Sequence, residues 1–167
     1  MRASREGWCG RSTPASYQRR NCQVRAIRWT DDDEPGDDPH GFAARAVQQA
    51  FAESAPADIR LIVAKSFGTF AIPWAEQAQV PAIWLTPILT DDVIRRTLTG
   101  TKKPDLLIGG SDDTFWATGA LSETAPTFVD IQDANHSLEV PNDWRASLAA
   151  QVQVFTAIER FLTSGLS

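Results

Sequence analysis

An apolar segment that runs directly into a serine-centred turn is the feature that most constrains the fold of this chain. Residues 61–70 have the sequence Leu-Ile-Val-Ala-Lys-Ser-Phe-Gly-Thr-Phe, so Ser66 lies between Ala64 and Gly68. Small residues two positions before and after a serine are typical of a tight strand-to-helix turn that exposes the serine oxygen. A buried strand that ends at a helix-capping serine is the alternative interpretation. Both predict a strand over 60–65, and the pattern after it predicts a helix over 68–78.

Strands and helices alternate along the chain. Further strands are predicted over 24–29, 82–85, 106–108 and 127–131, and further helices over 42–51, over 91–98 and after Asn142. This alternation predicts an α/β fold, an open and mostly parallel sheet with helices on both faces. Asn142 is expected to cap the last helix. Its predicted core face consists of Trp144, Leu148, Val152, Phe155, Ile158 and Leu162.

Acidic residues and a histidine follow the last two predicted strands. Asp112 and Asp113 come after the strand over 106–108, and His136 comes after the strand over 127–131. Open α/β sheets place their chemistry at the carboxyl ends of the strands. The other histidine, His40, lies in an acidic loop near the start. His136 is therefore the candidate base for Ser66, and a solvated or capping histidine is the alternative interpretation.

From about residue 24 onward the chain resembles the α/β-hydrolases, in particular the small lidless bacterial type. Three segments carry the resemblance: Ala-Lys-Ser-Phe-Gly-Thr at 64–69, Leu-Leu-Ile-Gly-Gly-Ser-Asp-Asp at 106–113, and Asp-Ala-Asn-His-Ser-Leu-Glu-Val-Pro at 133–141. The resemblance implies that Ser66 is the nucleophile and His136 the general base and acid. It implies Asp113 as the orienting acid, with Asp112 as the alternative. The backbone N–H of Phe67 would be the first oxyanion donor.

The function implied by this resemblance is hydrolysis of small esters or thioesters by a serine hydrolase that needs no cofactor and no metal. Lys65 is a candidate contact for a substrate carboxylate, and Trp116 is a candidate wall of an acyl pocket. A solvated lysine and a core tryptophan are the alternative interpretations. A nucleotide-binding doubly wound protein is disfavoured, because no glycine-rich phosphate-binding motif follows any strand.

Residues 1–22 differ in character from the domain predicted over 23–167. They are rich in Arg and Ser and contain no apolar run of strand length, which predicts an irregular or disordered segment. The family's oxyanion strand would precede the strand over 24–29, so the domain is expected to lack its N-terminal strands. The second functional hypothesis is therefore a weak or inactive hydrolase-like remnant that acts as a binding module. A sheet edge exposed in this way would favour a homo-oligomer.

Composition limits the partners and the compartment. The net charge of −5 argues against a nucleic-acid partner. There is no apolar run long enough to span a membrane, so no membrane partner is expected. The partner that the resemblance implies is a small acyl substrate. The two cysteines form neither a disulfide framework nor a recognisable metal motif, which favours the cytoplasm.

Overall fold

The computed structural model describes residues 22–29, 33–121 and 126–164, and a sheet of four parallel strands forms its centre. The strands lie in the order β1 (Ile62–Lys65), β2 (Ala82–Leu85), β3 (Asp105–Gly110) and β4 (Thr127–Ile131). The helices are α1 (Pro39–Ala52), α2 (Ile72–Gln77), α3 (Asp92–Gly100) and α4 (Trp144–Ser164), with 3₁₀ helices at Ser66–Ala71 and Thr118–Ala120. The predicted α/β class with an open parallel sheet is confirmed.

The sheet has an apolar core on each face. Trp84 and Leu107 pack in one core with residues of α1, α2 and α3, whereas Ile83 and Leu106 pack in the other with residues of α4. Neighbouring residues of a strand point to opposite faces, so strands covered on both sides are apolar throughout. This explains why β2 and β3 are almost entirely buried. Three helices therefore cover one face, and α4 covers the other.

The predicted strand over 24–29 is wrong. The described residues 22–29 are exposed and adopt no regular structure, and the rest of the predicted irregular segment over 1–22 lies outside the described residues. Arg25 donates to the carboxylate of Glu53 at 2.8 Å and to its carbonyl oxygen at 3.0 Å, which holds the segment beside the end of α1. A strand requires a neighbour with which to exchange backbone hydrogen bonds, and this segment lies against a helix. Within the described ranges, β1 is an edge strand.

The predicted helix over 68–78 is divided at Pro73. In a continuous α-helix the N–H of residue 73 would donate to the carbonyl of Thr69, but proline has no N–H. Ile72 donates to the Thr69 carbonyl instead, with the shorter spacing of a 3₁₀ helix. The chain therefore leaves Ser66 in a 3₁₀ helix and continues as α2 with Pro73 in its first turn.

The cap and the buried face of α4 also differ from prediction. Asn142 has a φ of +62° and is not the cap, whereas the side chain of Asp143 accepts from the N–H of Ala146 at 2.9 Å. Of the predicted core residues, Trp144, Leu148, Val152 and Phe155 are exposed. Ile158 and Leu162 are partly buried and pack against the core, as predicted. The residues that α4 buries are Ala150, Val154 and Phe161.

Polar contacts explain the rotation of α4. The Ser147 hydroxyl donates to the carbonyl of Val140 and accepts from its N–H, and Gln151 donates to the carbonyl of Leu138 at 3.0 Å. These bonds turn the side of α4 that carries Ser147 and Gln151 toward the preceding loop, and the small Ala150 then lies against the sheet. Among the described helices, none combines the length and the apolar character needed to cross a membrane.

A buried ion pair lies at the amino-terminal end of β3, away from the strand ends that carry the candidate site. Asp105 forms an ion pair with Lys103, and it accepts hydrogen bonds from the indole of Trp84 at 3.1 Å and the N–H of Ala82 at 2.9 Å. Both members of the pair are buried. Burial raises the pKa of Asp105, and Lys103 opposes that rise. Lys103 therefore offsets much of the cost of a buried carboxylate.

Replacing Lys103 with methionine is expected to lower the free energy of unfolding by about 3 kcal/mol at neutral pH, because it leaves the Asp105 carboxylate buried without a counter-charge. The pKa of Asp105 is higher in the folded state than in the unfolded chain. Ionisation of Asp105 therefore destabilises the folded state as the pH rises above the pKa that Asp105 has in the unfolded chain. The difference in the free energy of unfolding between wild type and Lys103→Met should therefore be smaller near pH 4 than at pH 7. Urea unfolding at both pH values measures this. The double variant Lys103→Met/Asp105→Asn should recover part of the lost free energy of unfolding. If the loss in Lys103→Met were the same at both pH values, the explanation would be contradicted.

Candidate functional site

The candidate site lies at the carboxyl ends of the four strands. Ser66 directly follows β1, and Thr86 directly follows β2. Asp113 lies in the turn after β3, and His136 lies in the loop after β4. Because all four strands are parallel, their carboxyl ends share one edge of the sheet, and residues far apart in sequence can meet there.

Ser66 occupies a backbone conformation that is uncommon for a residue with a side chain. Its φ is +49°, whereas Lys65 before it is extended. The hydroxyl of Thr69 donates to the carbonyl of Ser66 at 2.6 Å and stabilises the turn. A Cβ at Gly68 would lie 3.1 Å from the Cβ of Ala64, so the two flanking positions are in close contact. Alanine fits at residue 64, where the motif of the resembled family has glycine, because its partner across the turn is a glycine.

Ser66, His136 and Asp113 form a continuous hydrogen-bonded chain. The Nδ1 atom of His136 lies 2.7 Å from Oδ2 of Asp113, and its Nε2 atom lies 2.8 Å from Oγ of Ser66. A carboxylate only accepts, so Nδ1 carries the proton and Nε2 presents a lone pair to the serine hydroxyl. This arrangement can remove the serine proton and hold the resulting imidazolium beside a carboxylate.

Asp113, and not Asp112, is the carboxylate bound to His136. The side chain of Asp113 is 1% exposed, and its second oxygen accepts from the N–H of Phe115 at 2.9 Å. Asp112 is exposed, and its N–H donates to the carbonyl of Ala134. The one-residue difference decides which carboxylate points at the imidazole, because the turn after β3 buries only the second of the two.

Lys65 extends from the end of β1 toward the histidine loop. Its ammonium donates to the carbonyl oxygen of His136 at 2.8 Å and to the hydroxyl of Thr86 at 3.4 Å. Burial lowers the pKa of the Lys65 ammonium, and the carboxylates of Asp113 and Glu139 oppose this effect. A cation thus lies beside the hydrogen-bonded chain, with the protein itself supplying its acceptors.

Phe67 is the second residue of the 3₁₀ helix, where a backbone N–H has no acceptor within the helix. Among the contacts of the described residues, none uses that N–H, which is the predicted oxyanion donor. The ring of Phe67 packs edge-on against the rings of Trp29, Phe42 and Phe70. No contact in the described ranges identifies a second oxyanion donor.

Trp116 and its neighbour Phe115 occupy different environments. Trp116 is 8% exposed and packs in the core against Phe128, and a Cβ at Gly109 would lie 2.1 Å from its ring. Phe115 is partly exposed, and its ring centre lies 5.2 Å from that of His136. The side chain beside the catalytic candidates is thus that of Phe115, while Trp116 supports the sheet.

Sequence reasoning missed two residues at this edge, Phe115 and Thr86. Thr86 directly follows β2 and has a φ of +43°, and its hydroxyl is bound by Lys65. Its place at a strand end is the signal that identified Ser66 and Asp113, and it could have identified Thr86 as well. Nothing in the sequence distinguishes Phe115 from Trp116, because the turn alone decides which ring faces His136.

Within the described ranges, no group of three or more His, Cys, Asp or Glu side chains is arranged to hold a metal ion. No protein-family model, curated protein or solved structure matches this chain. Interpretation of the site therefore depends on its geometry.

Proposed function

We propose that this chain is a serine hydrolase of the α/β-hydrolase type that acts on small esters or thioesters without a cofactor. The observation that supports this most strongly is the hydrogen-bonded chain from Asp113 through His136 to Ser66, with distances of 2.7 and 2.8 Å. The positive φ of Ser66, at the junction of a strand and a helix, agrees with an exposed nucleophile.

In the first half of the proposed reaction, Ser66 Oγ attacks the acyl carbonyl while its proton passes to Nε2 of His136. Asp113 stabilises the imidazolium that forms. The N–H of Phe67 donates to the carbonyl oxygen as it becomes negatively charged. The tetrahedral intermediate then collapses. The bond to the alcohol or thiol leaving group breaks, that group takes the proton from Nε2, and the acyl group remains on Ser66.

In the second half, water attacks the acyl group and gives one proton to His136. Collapse of the second intermediate breaks the bond to Ser66 Oγ, which regains its proton from Nε2, and the carboxylic acid leaves. The ring of Phe115 beside His136 is positioned to contact the substrate. Between Ser66 and β3, a range that the structure describes throughout, there is no inserted lid segment, so the proposed site is open.

Reaction with a fluorophosphonate tests the proposal, because the probe forms a stable bond only with an activated nucleophile. Wild-type protein should be phosphonylated at Ser66, as mapped by mass spectrometry of the peptides. Ser66→Ala should abolish the adduct, because it removes the oxygen that attacks the phosphorus of the probe and displaces fluoride.

Ser137→Ala is the matched control for this test. Ser137 is an exposed serine adjacent to His136, and its loss should leave labelling unchanged. Wild-type protein that is folded by circular dichroism and yet forms no adduct at Ser66 would refute the proposal.

A second candidate function is an inactive relative of such hydrolases that acts as a binding module. Two observations favour it. The described residues offer a single candidate oxyanion donor, the N–H of Phe67. On α4, an exposed apolar stripe consists of Trp144, Leu148, Val152 and Phe155. Pairing between chains through the edge of β1 stays a prediction. A cytoplasmic location is part of the main proposal, and the exposed free thiol of Cys22 is compatible with a reducing compartment.

A further inference from the structure

The loop that carries His136 must cross most of the sheet to reach Ser66. It begins after β4, whereas Ser66 follows β1, and the strand order β1-β2-β3-β4 puts three strand spacings between them. At about 4.8 Å per spacing, the two chain segments start roughly 14 Å apart. The distance of 2.8 Å between His136 Nε2 and Ser66 Oγ therefore depends on what holds the tip of this loop.

Contacts with β3 and the turn after it hold the base of the loop, and Asp113 in that turn binds the ring of His136 at 2.7 Å. The N–H of Asp112 donates to the carbonyl of Ala134, and the N–H of Asp133 donates to the hydroxyl of Ser111. Within the loop, the Asn135 side chain accepts from the N–H groups of Ser137 and Glu139. The bonds of Asn135 determine the shape of the loop, but they do not attach it to β1 or β2.

Lys65 supplies that attachment. It is the last residue of β1 and directly precedes Ser66, and its ammonium donates to the carbonyl oxygen of His136 itself at 2.8 Å. The hydroxyl of Thr86, at the end of β2, lies 3.4 Å from the same nitrogen. One side chain thus joins the residue next to the nucleophile to the backbone of the base, across 71 positions of sequence.

We infer that Lys65 is a positioning residue that ties the His136 loop to the serine turn and so sets the distance between Nε2 and Oγ. This inference rests on the proposed function of Ser66 and His136. This positioning role differs from the predicted contact between Lys65 and a substrate carboxylate, because the ammonium already has two acceptors in the protein. Burial lowers the pKa of the Lys65 ammonium, and the nearby carboxylates of Asp113 and Glu139 oppose that effect.

The test uses an uncharged fluorophosphonate, which has no carboxylate for Lys65 to bind. Lys65→Met keeps most of the length of the side chain and removes the donor, and it should slow phosphonylation of Ser66 by about 10- to 100-fold. Lys65→Arg keeps a cationic donor and should recover much of the rate. Lys102→Met, at an exposed lysine outside the candidate site, is the matched control and should react like wild type.

A wild-type rate for Lys65→Met with this uncharged probe would overturn the inference. An unreactive wild-type protein would instead refute the proposed function. A second measurement then still decides whether Lys65 ties the loop. Hydrogen exchange of the amides over 134–139 should accelerate in Lys65→Met while exchange in β2 and β3 stays unchanged, and unaltered exchange in the loop would overturn the inference independently of reactivity.

Discussion

Replacing Asp113 with asparagine is expected to slow phosphonylation of Ser66 by about 10³- to 10⁴-fold. In the structure, Oδ2 of Asp113 accepts from Nδ1 of His136 at 2.7 Å, and Oδ1 accepts from the N–H of Phe115. Asparagine keeps the shape but replaces one acceptor with an amide donor. With its oxygen held by Phe115, the amide favours the histidine tautomer that has its proton on Nε2, which cannot accept from Ser66. The measurement is the second-order rate of labelling by the fluorophosphonate.

Asp112→Asn provides the matched control for this prediction. Asp112 is the neighbouring residue and is exposed, so its replacement should change the labelling rate by less than about twofold. Urea unfolding of both variants distinguishes lost reactivity from lost folding. Equal effects of the two substitutions, or a larger effect at Asp112, would contradict the assignment of Asp113 as the acid that orients His136.

Replacing Gly110 with alanine is expected to disrupt both the fold and the candidate site. A Cβ at this position would lie 2.0 Å from the carbonyl oxygen of Ala134 and 2.9 Å from that of Asn135. Both are backbone atoms of the histidine loop, so the clash can be relieved only by moving the loop or the end of β3. We expect a loss of about 2 to 3 kcal/mol in the free energy of unfolding. Movement of His136 by about 1 Å would slow Ser66 labelling by about 100-fold.

Gly119→Ala is the control for the steric explanation, because no atom lies within 4 Å of a Cβ built at Gly119. That variant should keep wild-type reactivity and stability. Urea unfolding and the rate of fluorophosphonate labelling measure both effects. If Gly110→Ala is as stable and as reactive as Gly119→Ala, the packing of β3 against the histidine loop does not position His136.

The elements around the candidate site were largely predictable because their signals are local. The bounds of β2 and β4 agree with the predicted strands over 82–85 and 127–131, since a short run rich in apolar and β-branched residues, bounded by turn residues, is characteristic of a strand. The break at Pro73 follows from the N–H that proline lacks, although the predicted helix over 68–78 runs across it. The prediction of a strand over 24–29 was wrong because an apolar pattern does not indicate whether a neighbouring strand is available for pairing.

The rotation of α4 shows why a helical pattern does not by itself identify the buried face. Both Trp144 and Val154 belong to apolar rows of this helix, but Trp144 is 63% exposed and Val154 is 4% exposed. Ser147 and Gln151 settle the choice through bonds to the preceding loop, and polar residues do not enter a search for apolar periodicity. The small residue Ala150 is buried in the core that α4 forms with the sheet.

The sequence alone determined the class of the fold and the positions of Ser66, Asp113 and His136 at strand ends, because strand ends and turns depend on neighbouring residues. Only the tertiary structure decided that these three side chains form one hydrogen-bonded chain, that Phe115 faces His136, and that Lys65 binds the His136 carbonyl. Each of those contacts joins segments far apart in the chain. Their distances result from the parallel sheet, which brings separate strand ends to one edge.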